Sequence, residues 1–230
     1  MVPVEISSIK IAIIGDYNFT FNTHHAVNLA IDHASHFLEI EINYYWIRLQ
    51  EASQLNATQL RDYDGIWICH GPFKNPFFLN GIIEYLLQQK IPVFITGEGF
   101  QHLIEVLINK YNLNPNGEKL ISDNLVSGIQ FDEVEIVPHS KALIELYEHH
   151  YTKELTSTRY SLYPKLVSHL VNEVIHVEAY NGFEEIEIFS LLEKHFFVVC
   201  GFCPQITSTR EIPHPLIYTF IKASIAFRSK

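Results

Sequence analysis

The stretch Ile91-Pro92-Val93-Phe94-Ile95-Thr96-Gly97-Glu98-Gly99-Phe100-Gln101 has a form that positions reactive side chains in α/β proteins. An apolar β-type run stops at Gly97-Glu98-Gly99, and an amphipathic run with Phe100, Leu103, Ile104, Val106 and Leu107 begins at once. Strand, sharp turn and helix in that order hold a nucleophile at the top of a parallel sheet. The tip is squeezed between neighbours that must be small. Gly99 meets that need, but the tip itself is Gly97, so the seat for a nucleophile is present and empty. Two further stretches offer reactive types: Cys69-His70-Gly71-Pro72, and Gly201-Phe202-Cys203-Pro204-Gln205. A thiol, an imidazole and a carboxylate from Cys203, His70 and Glu98 are types that ligate zinc, and Cys203 is also a candidate activated thiol. The alternative is a buried, inert cysteine, with His70 solvated or structural. Cys200 and Cys203 have a redox-like spacing, but on a strand those side chains face opposite ways. No spacing signals a metal, and no cofactor is expected.

The elements that must carry these residues alternate strand and helix. Ile9 to Gly15 is a mostly β-branched run ending in glycine, the pattern of a buried parallel strand. Asn22 to Phe37 repeats Ala26, Val27, Ala30, Ile31 and Ala34 at helical spacing. Glu39 to Leu49 and Tyr63 to Cys69 read as the next strands, and Phe77 to Gln89 as a helix leading into the Pro92 strand. This alternation predicts a doubly wound, mostly parallel sheet with helices on both faces. Asn112 to Ser127 is polar, Val126 to Val137 holds one or two strands, and Lys141 to His150 a short helix. Further on, His169 to Ala179, Glu185 to Phe189 and Phe196 to Gly201 read as strands. Asn181-Gly182 marks a hairpin between the first two, and Ile212 to Ala226 reads as a closing helix.

With 230 residues, 47% hydrophobic and 18% charged, the chain can bury one good core. Its formal charge of −10, with no compensating Lys/Arg cluster, repels polyanions and argues against nucleic acid as a partner. Three cysteines are too few for a disulfide framework. Met1-Val2-Pro3-Val4-Glu5 lacks the features of a signal peptide. No apolar run approaches the ~20 residues that span a bilayer. These features predict a soluble, cytoplasmic protein with no membrane partner.

The elbow resembles that of class I glutamine amidotransferases, specifically the glutaminase domain of CTP synthase. The similarity extends through Gly15-Asp16-Tyr17 to His33-Ala34, with Tyr17, Val27, Ala30, His33 and Ala34 retained, and through Asp64-Gly65-Ile66. It resumes at Pro204, Thr207 and Ser208 and at His214-Pro215-Leu216-Ile217. The resemblance implies a three-layer, flavodoxin-like fold with extra antiparallel strands in the second half. It places the family's catalytic cysteine on Gly97, its histidine on Cys203 and its glutamate on Gln205. It also makes His70 and Gly71 the oxyanion loop, where Pro72 has no N–H to donate. Arg159-Tyr160 matches the family's Arg-Tyr, whose arginine suits a bidentate carboxylate clamp. Gln101 matches a residue facing bound glutamine. Ser161-Leu162-Tyr163 departs from the motif, and the region around Glu118 does not align.

All three triad positions are thus replaced. Glutaminase chemistry needs a thiolate, an imidazole to shuttle its proton and a carboxylate to orient the imidazole. Loss of a nucleophile or base alone costs about a million-fold in a comparable triad, so glutamine hydrolysis is expected to be negligible. The resemblance therefore implies a stand-alone single domain over residues 1–230, without a synthetase domain. Its expected role is to bind a glutamine-like small molecule through Gln101, Arg159, Tyr160 and Glu98, or to dock on a separate synthetase or a second copy. The alternative is an enzyme that reuses the crevice with Cys203, His70 and Glu98 for a different hydrolase, transferase or ligase-associated reaction.

Overall fold

The computed structural model describes residues 8–55, 57–60, 62–126 and 131–229. The reading of Met1 to Glu5, and residues 127–130 of the stretch expected to hold one or two strands, lie outside the described residues. The chain runs through β1 (Ser8–Ile14), α1 (Asn22–Leu38) and β2 (Glu41–Ile47). Two four-residue helices, α2 (Leu49–Ala52) and α3 (Ala57–Leu60), lead to β3 (Gly65–Ile68), α4 (Pro76–Leu86), β4 (Val93–Thr96) and α5 (Gly99–Lys110). The second half holds β5 (Asp132–Pro138), α6 (Lys141–Tyr147), β6 (Lys153–Thr156), α7 (Pro164–Glu173) and β7 (Ile175–Asn181). It ends with β8 (Ile186–Leu191), β9 (Phe197–Cys200), α8 (Pro204–Thr207) and α9 (Pro215–Arg228).

The strands form one sheet in the order β2-β1-β3-β4-β9-β8-β7-β5-β6. From β2 to β9 neighbours are parallel; from β9 to β6 they are antiparallel. Parallel strands covered on both faces need apolar residues at every position, which is why their sequences read as unbroken runs. Ala12, Ile14, Ile66, Ile68, Val93 and Ile95 pack on one face with the apolar stripes of α4, α5 and α7. Ile9, Ile11, Ile13, Trp67 and Phe94 pack on the other with Val27, Ala30, Ile31 and Ala34 of α1 and Ile217, Phe220 and Ile221 of α9. Each such aliphatic side chain contributes roughly 1.5–3 kcal/mol by leaving water. Trp67 is fully buried, and its Nε1–H donates to Thr96 Oγ1 at 3.1 Å.

The first half follows the sequence pattern; the second departs from it twice. His169 to Ala179 was expected as one strand, but α7 takes residues through Glu173 and β7 begins at Ile175. Pro164 opens that helix, and Leu166 and Leu170, four residues apart and fully buried, form its inner stripe. Strand β6 was not anticipated. Its inward-facing positions are polar, Glu154 and Thr156, so it lacks the usual alternation. The hairpin at Asn181-Gly182 forms with a longer turn than that dipeptide suggests. Asn181 Oδ1 accepts the N–H groups of Phe183 and Glu185, and Glu184 takes the left-handed backbone, φ 63°. No described helix is long and apolar enough to cross a membrane.

Candidate functional site

Strand β4 ends at Thr96, and the chain turns through Gly97 with φ 61° before α5 begins. Gly97 N–H donates to the Cys200 carbonyl, and its own carbonyl accepts Phe100 N–H, both at 3.0 Å. A Cβ on Gly99 would stand 2.5 Å from Ile95 Cγ2, so the small residue after the tip is required by packing. The tip is more constrained still. A Cβ on Gly97 would lie 2.6 Å from His70 Nδ1 and 3.1 Å from His70 Cβ. The imidazole of His70 fills the space into which a side chain at the tip would project.

His70 reaches this position because β3 and β4 are parallel neighbours, so the turns after them lie side by side. The ring is 6% exposed; Nε2 contacts Ser157 Oγ at 3.2 Å and Nδ1 has no partner. Burial, with His24 nearby, lowers its pKa to about 4, so the ring is neutral at physiological pH. Glu98 works on the same loop from the other side. Its Oε2 occupies the place of a Cβ on Gly71, and its carboxylate accepts the Phe73 N–H. Burial nevertheless raises the Glu98 pKa. The loop expected to present donors to an oxyanion is therefore capped by a carboxyl group of the protein itself. His70, Pro72 and Glu98 line a cavity of about 430 Å³ with Ser157, Thr158 and the Thr20–Thr23 turn at the start of α1. Hydroxyls, an amide, a neutral imidazole and a carboxyl group suit hydrogen bonding to a polar ligand.

Cys203 does not join this group at the surface. It caps α8, is fully buried, and burial pushes its pKa up to about 12. The reading of Cys203 as an activated thiol is thereby corrected: at neutral pH almost none of it is thiolate. The strand argument about Cys200 and Cys203 also needs correction, since β9 ends at Cys200 and Cys203 lies beyond it. Cys69, Cys200 and Cys203 are all free and buried. Gln205 is 2% exposed, and its amide makes no conventional hydrogen bond.

The expected ligand-binding residues divide. Tyr160 lies near Glu98 and Glu105, and burial followed by those carboxylates pushes its phenol up to about 12. Gln101 Nε2 donates to Glu105 Oε1 at 2.8 Å, so part of its amide is engaged within α5. The Arg159 guanidinium lies 5.6 Å from the Phe183 ring centroid and acts on the buried Glu187 carboxyl, and its Nε is buried without a hydrogen-bond partner. Gln101, Arg159 and Tyr160 are not among the residues lining the cavity beside the elbow.

Two buried acids escaped the sequence reading. Glu187 is 6% exposed beside Gly201, accepts Asn181 Nδ2–H at 3.0 Å, and has its pKa raised by burial to about 7. Glu154 is fully buried on β6. Burial alone would raise its pKa, but His214, 2.8 Å away, and the Thr207 hydroxyl outweigh that and hold it low. His214 Nδ1 accepts the Leu216 N–H at the start of α9, so a neutral ring carries its proton on Nε2 and donates to Glu154. Among the described residues, His150, Glu154 and His214 are close enough to share an ion, whereas Cys203, His70 and Glu98 do not form such a group. The His214 tautomer, however, commits its Nε2 to hydrogen bonding. A signal for the Glu154–His214 pair was available only in the His-Pro start of the last helix.

No protein-family profile matches the chain. Among curated proteins it is similar to the CTP synthase of Phytoplasma australiense, 24% identical over 244 residues, covering 96% of this chain and 44% of the relative. It is also similar to the CTP synthase of Rickettsia conorii, 26% identical over 254 residues, covering 96% and 46%. The chain thus spans less than half the length of these relatives. Among solved structures it superposes on the glutaminase domain of Trypanosoma brucei CTPS with bound acivicin, with a TM-score of 0.74 and 17% identity, covering 95% of this chain and 94% of that one. A glutamine amido transferase from Methylobacillus flagellatus superposes with a TM-score of 0.52 and 13% identity, covering 87% and 71%. The fold is that of the class I glutamine amidotransferases.

Proposed function

We propose that this chain, a glutamine amidotransferase-like protein similar to the glutaminase domain of CTP synthase, has lost glutaminase chemistry and serves as a ligand-binding or regulatory partner module. The observation that carries this reading is the filled seat at the elbow: Gly97 has no side chain, and His70 Nδ1 stands 2.6 Å from where its Cβ would be. Glu98 over Gly71 and the buried Cys203–Gln205 pair support it. In this reading residues 1–230 act as one domain of this type. The crevice takes a glutamine-like small molecule, or the domain docks on a separate synthetase or a second copy. Reuse of the crevice as a reaction centre through Cys203, His70 and Glu98 is the weaker reading, because the Cys203 thiol is fully buried.

Two assays test the proposal. Ammonia and glutamate release from glutamine at high protein concentration should stay at the uncatalysed level. Release proportional to protein concentration refutes the loss of chemistry. Glutamine at millimolar concentration should raise the melting temperature; an unchanged value removes the glutamine-like ligand and leaves only the partner role.

A further inference from the structure

The cavity of about 430 Å³ beside the elbow takes one wall from the start of α1, and the polar groups of that wall lack partners. Helix α1 runs 17 residues from Asn22, and Phe21 at its N-cap offers no capping side chain. The first N–H groups of a helix have no intrahelical acceptor. His24 and His25 N–H donate to the Phe21 carbonyl, but those of Asn22 and Thr23 donate to nothing among the described residues. No acidic side chain lies in the first turn to offset the partial positive charge that gathers there.

The Thr23 side chain is a second, independent sign. The residue is only 6% exposed, yet its hydroxyl has no hydrogen-bond partner among the described residues. Unlike the orphaned atoms sealed within the core, that hydroxyl stays open to solvent, and Thr23 lines this cavity. Buried polar side chains are nearly always satisfied. Asn22, on the same wall, makes no side-chain hydrogen bond either. Two backbone N–H groups and a hydroxyl thus stand unused on one wall of a cavity whose volume suits a small molecule.

We propose, resting on the reading of this cavity as a ligand site, that its ligand is a small amide-bearing carboxylate and that the start of α1 holds the carboxylate. The Asn22 and Thr23 N–H groups and the Thr23 hydroxyl donate to its oxygens, and its amide lies toward Glu98 and Ser157. Helix N-termini bind anions in this way without a cationic side chain. Arg159, whose type suits a carboxylate clamp, is not on this lining, so the helix takes that role. Glu98 is the one acidic residue among those described on the lining, and burial raises its pKa, which lessens its repulsion of an anion.

The probe is succinamate, which carries one carboxylate and one amide; succinamide, with a second amide in place of the carboxylate, is its uncharged counterpart. In NMR titrations of the isotope-labelled native chain, succinamate should move the Asn22 and Thr23 backbone amides and bind about fivefold tighter than succinamide. Asn22→Asp puts a carboxylate at the same helix end, where it suits the dipole. It should weaken succinamate at least fivefold and leave succinamide within twofold, with the melting temperature unchanged or raised. The proposal is overturned if succinamate binds without moving those amides, if succinamide binds as tightly, or if a folded Asn22→Asp binds succinamate as the native chain does. Should Asn22→Asp fail to fold, Thr23→Val gives the second reading, and an unchanged preference for succinamate in it overturns the assignment. Glutamine that raises the melting temperature while succinamate leaves both amides unmoved refutes the carboxylate assignment alone. If neither glutamine nor succinamate binds, the ligand reading fails and this inference with it.

Discussion

Placing a methyl group on Gly97 measures directly how full the seat at the elbow is. Two costs arise. The backbone there has φ 61°, and a left-handed conformation costs an L residue about 1–2 kcal/mol. The new Cβ would also stand 2.6 Å from His70 Nδ1 and 3.1 Å from His70 Cβ. The buried ring must move, and overpacking of this kind costs about 1–3 kcal/mol. Gly97→Ala should therefore destabilise the fold by about 2–5 kcal/mol. In a His70→Gly background only the backbone cost remains, so the same substitution should cost about 1–2 kcal/mol. Urea unfolding of the four proteins, with midpoints and slopes fitted together, gives the coupling. A coupling of about 1–3 kcal/mol is the expected result. If Gly97→Ala costs the same in both backgrounds to within about 0.5 kcal/mol, His70 does not occupy the seat.

Three other outcomes follow from buried groups. None of the three buried cysteines should react with a thiol reagent at pH 7.5 in the folded chain, and all should react after denaturation; rapid labelling of native Cys203 would contradict its burial. Glu187, with its pKa raised by burial to about 7, holds a proton in the folded chain that the unfolded chain releases near 4.5. Its stabilising contribution is complete below about pH 4.5 and is lost as pH rises through about 7, and that gap corresponds to about 3 kcal/mol. Glu187→Gln should flatten this part of the stability–pH curve between pH 5 and 8, and an unchanged slope would refute the assignment. Glu154→Ala leaves the neutral His214 Nε2–H and the Thr207 hydroxyl without their acceptor and should cost about 1–3 kcal/mol; a loss below about 0.5 kcal/mol in urea unfolding would show the contact to be idle.

Much of the parallel half can be read from sequence because its physics is local. Strands such as Ile11 to Ile14 and Val93 to Thr96 are buried on both faces, and stripes such as Val27, Ala30, Ile31 and Ala34 have helical period. Strand β6 could not be read, because Glu154 and Thr156 occupy its inward face and find partners far away in sequence. Helix α7 was missed because β-branched Val171, Val174, Ile175 and Val177 recur through its end into β7, which masks the Leu166–Leu170 stripe. At the site, Gly97 announces a missing side chain by its identity alone. That His70 fills the gap, and that Glu98 covers Gly71, depends on β3 and β4 being neighbours, a fact of topology rather than of either stretch. Arg159 shows what a matching residue type leaves open: its guanidinium lies beside the Phe183 ring and acts on buried Glu187, contacts that the sequence did not signal.

The most direct test of the account is to empty the seat and rebuild what is missing. A chain carrying His70→Gly, Gly97→Cys, Cys203→His and Gln205→Glu should be assayed for ammonia release from glutamine. It should be compared with the native chain and with a three-substitution version that keeps His70. The account predicts a silent native chain, a silent or unstable three-substitution chain, and measurable glutaminase activity once His70 is removed. Glutamate release by the native chain, or a three-substitution chain as active as the four-substitution one, would contradict it.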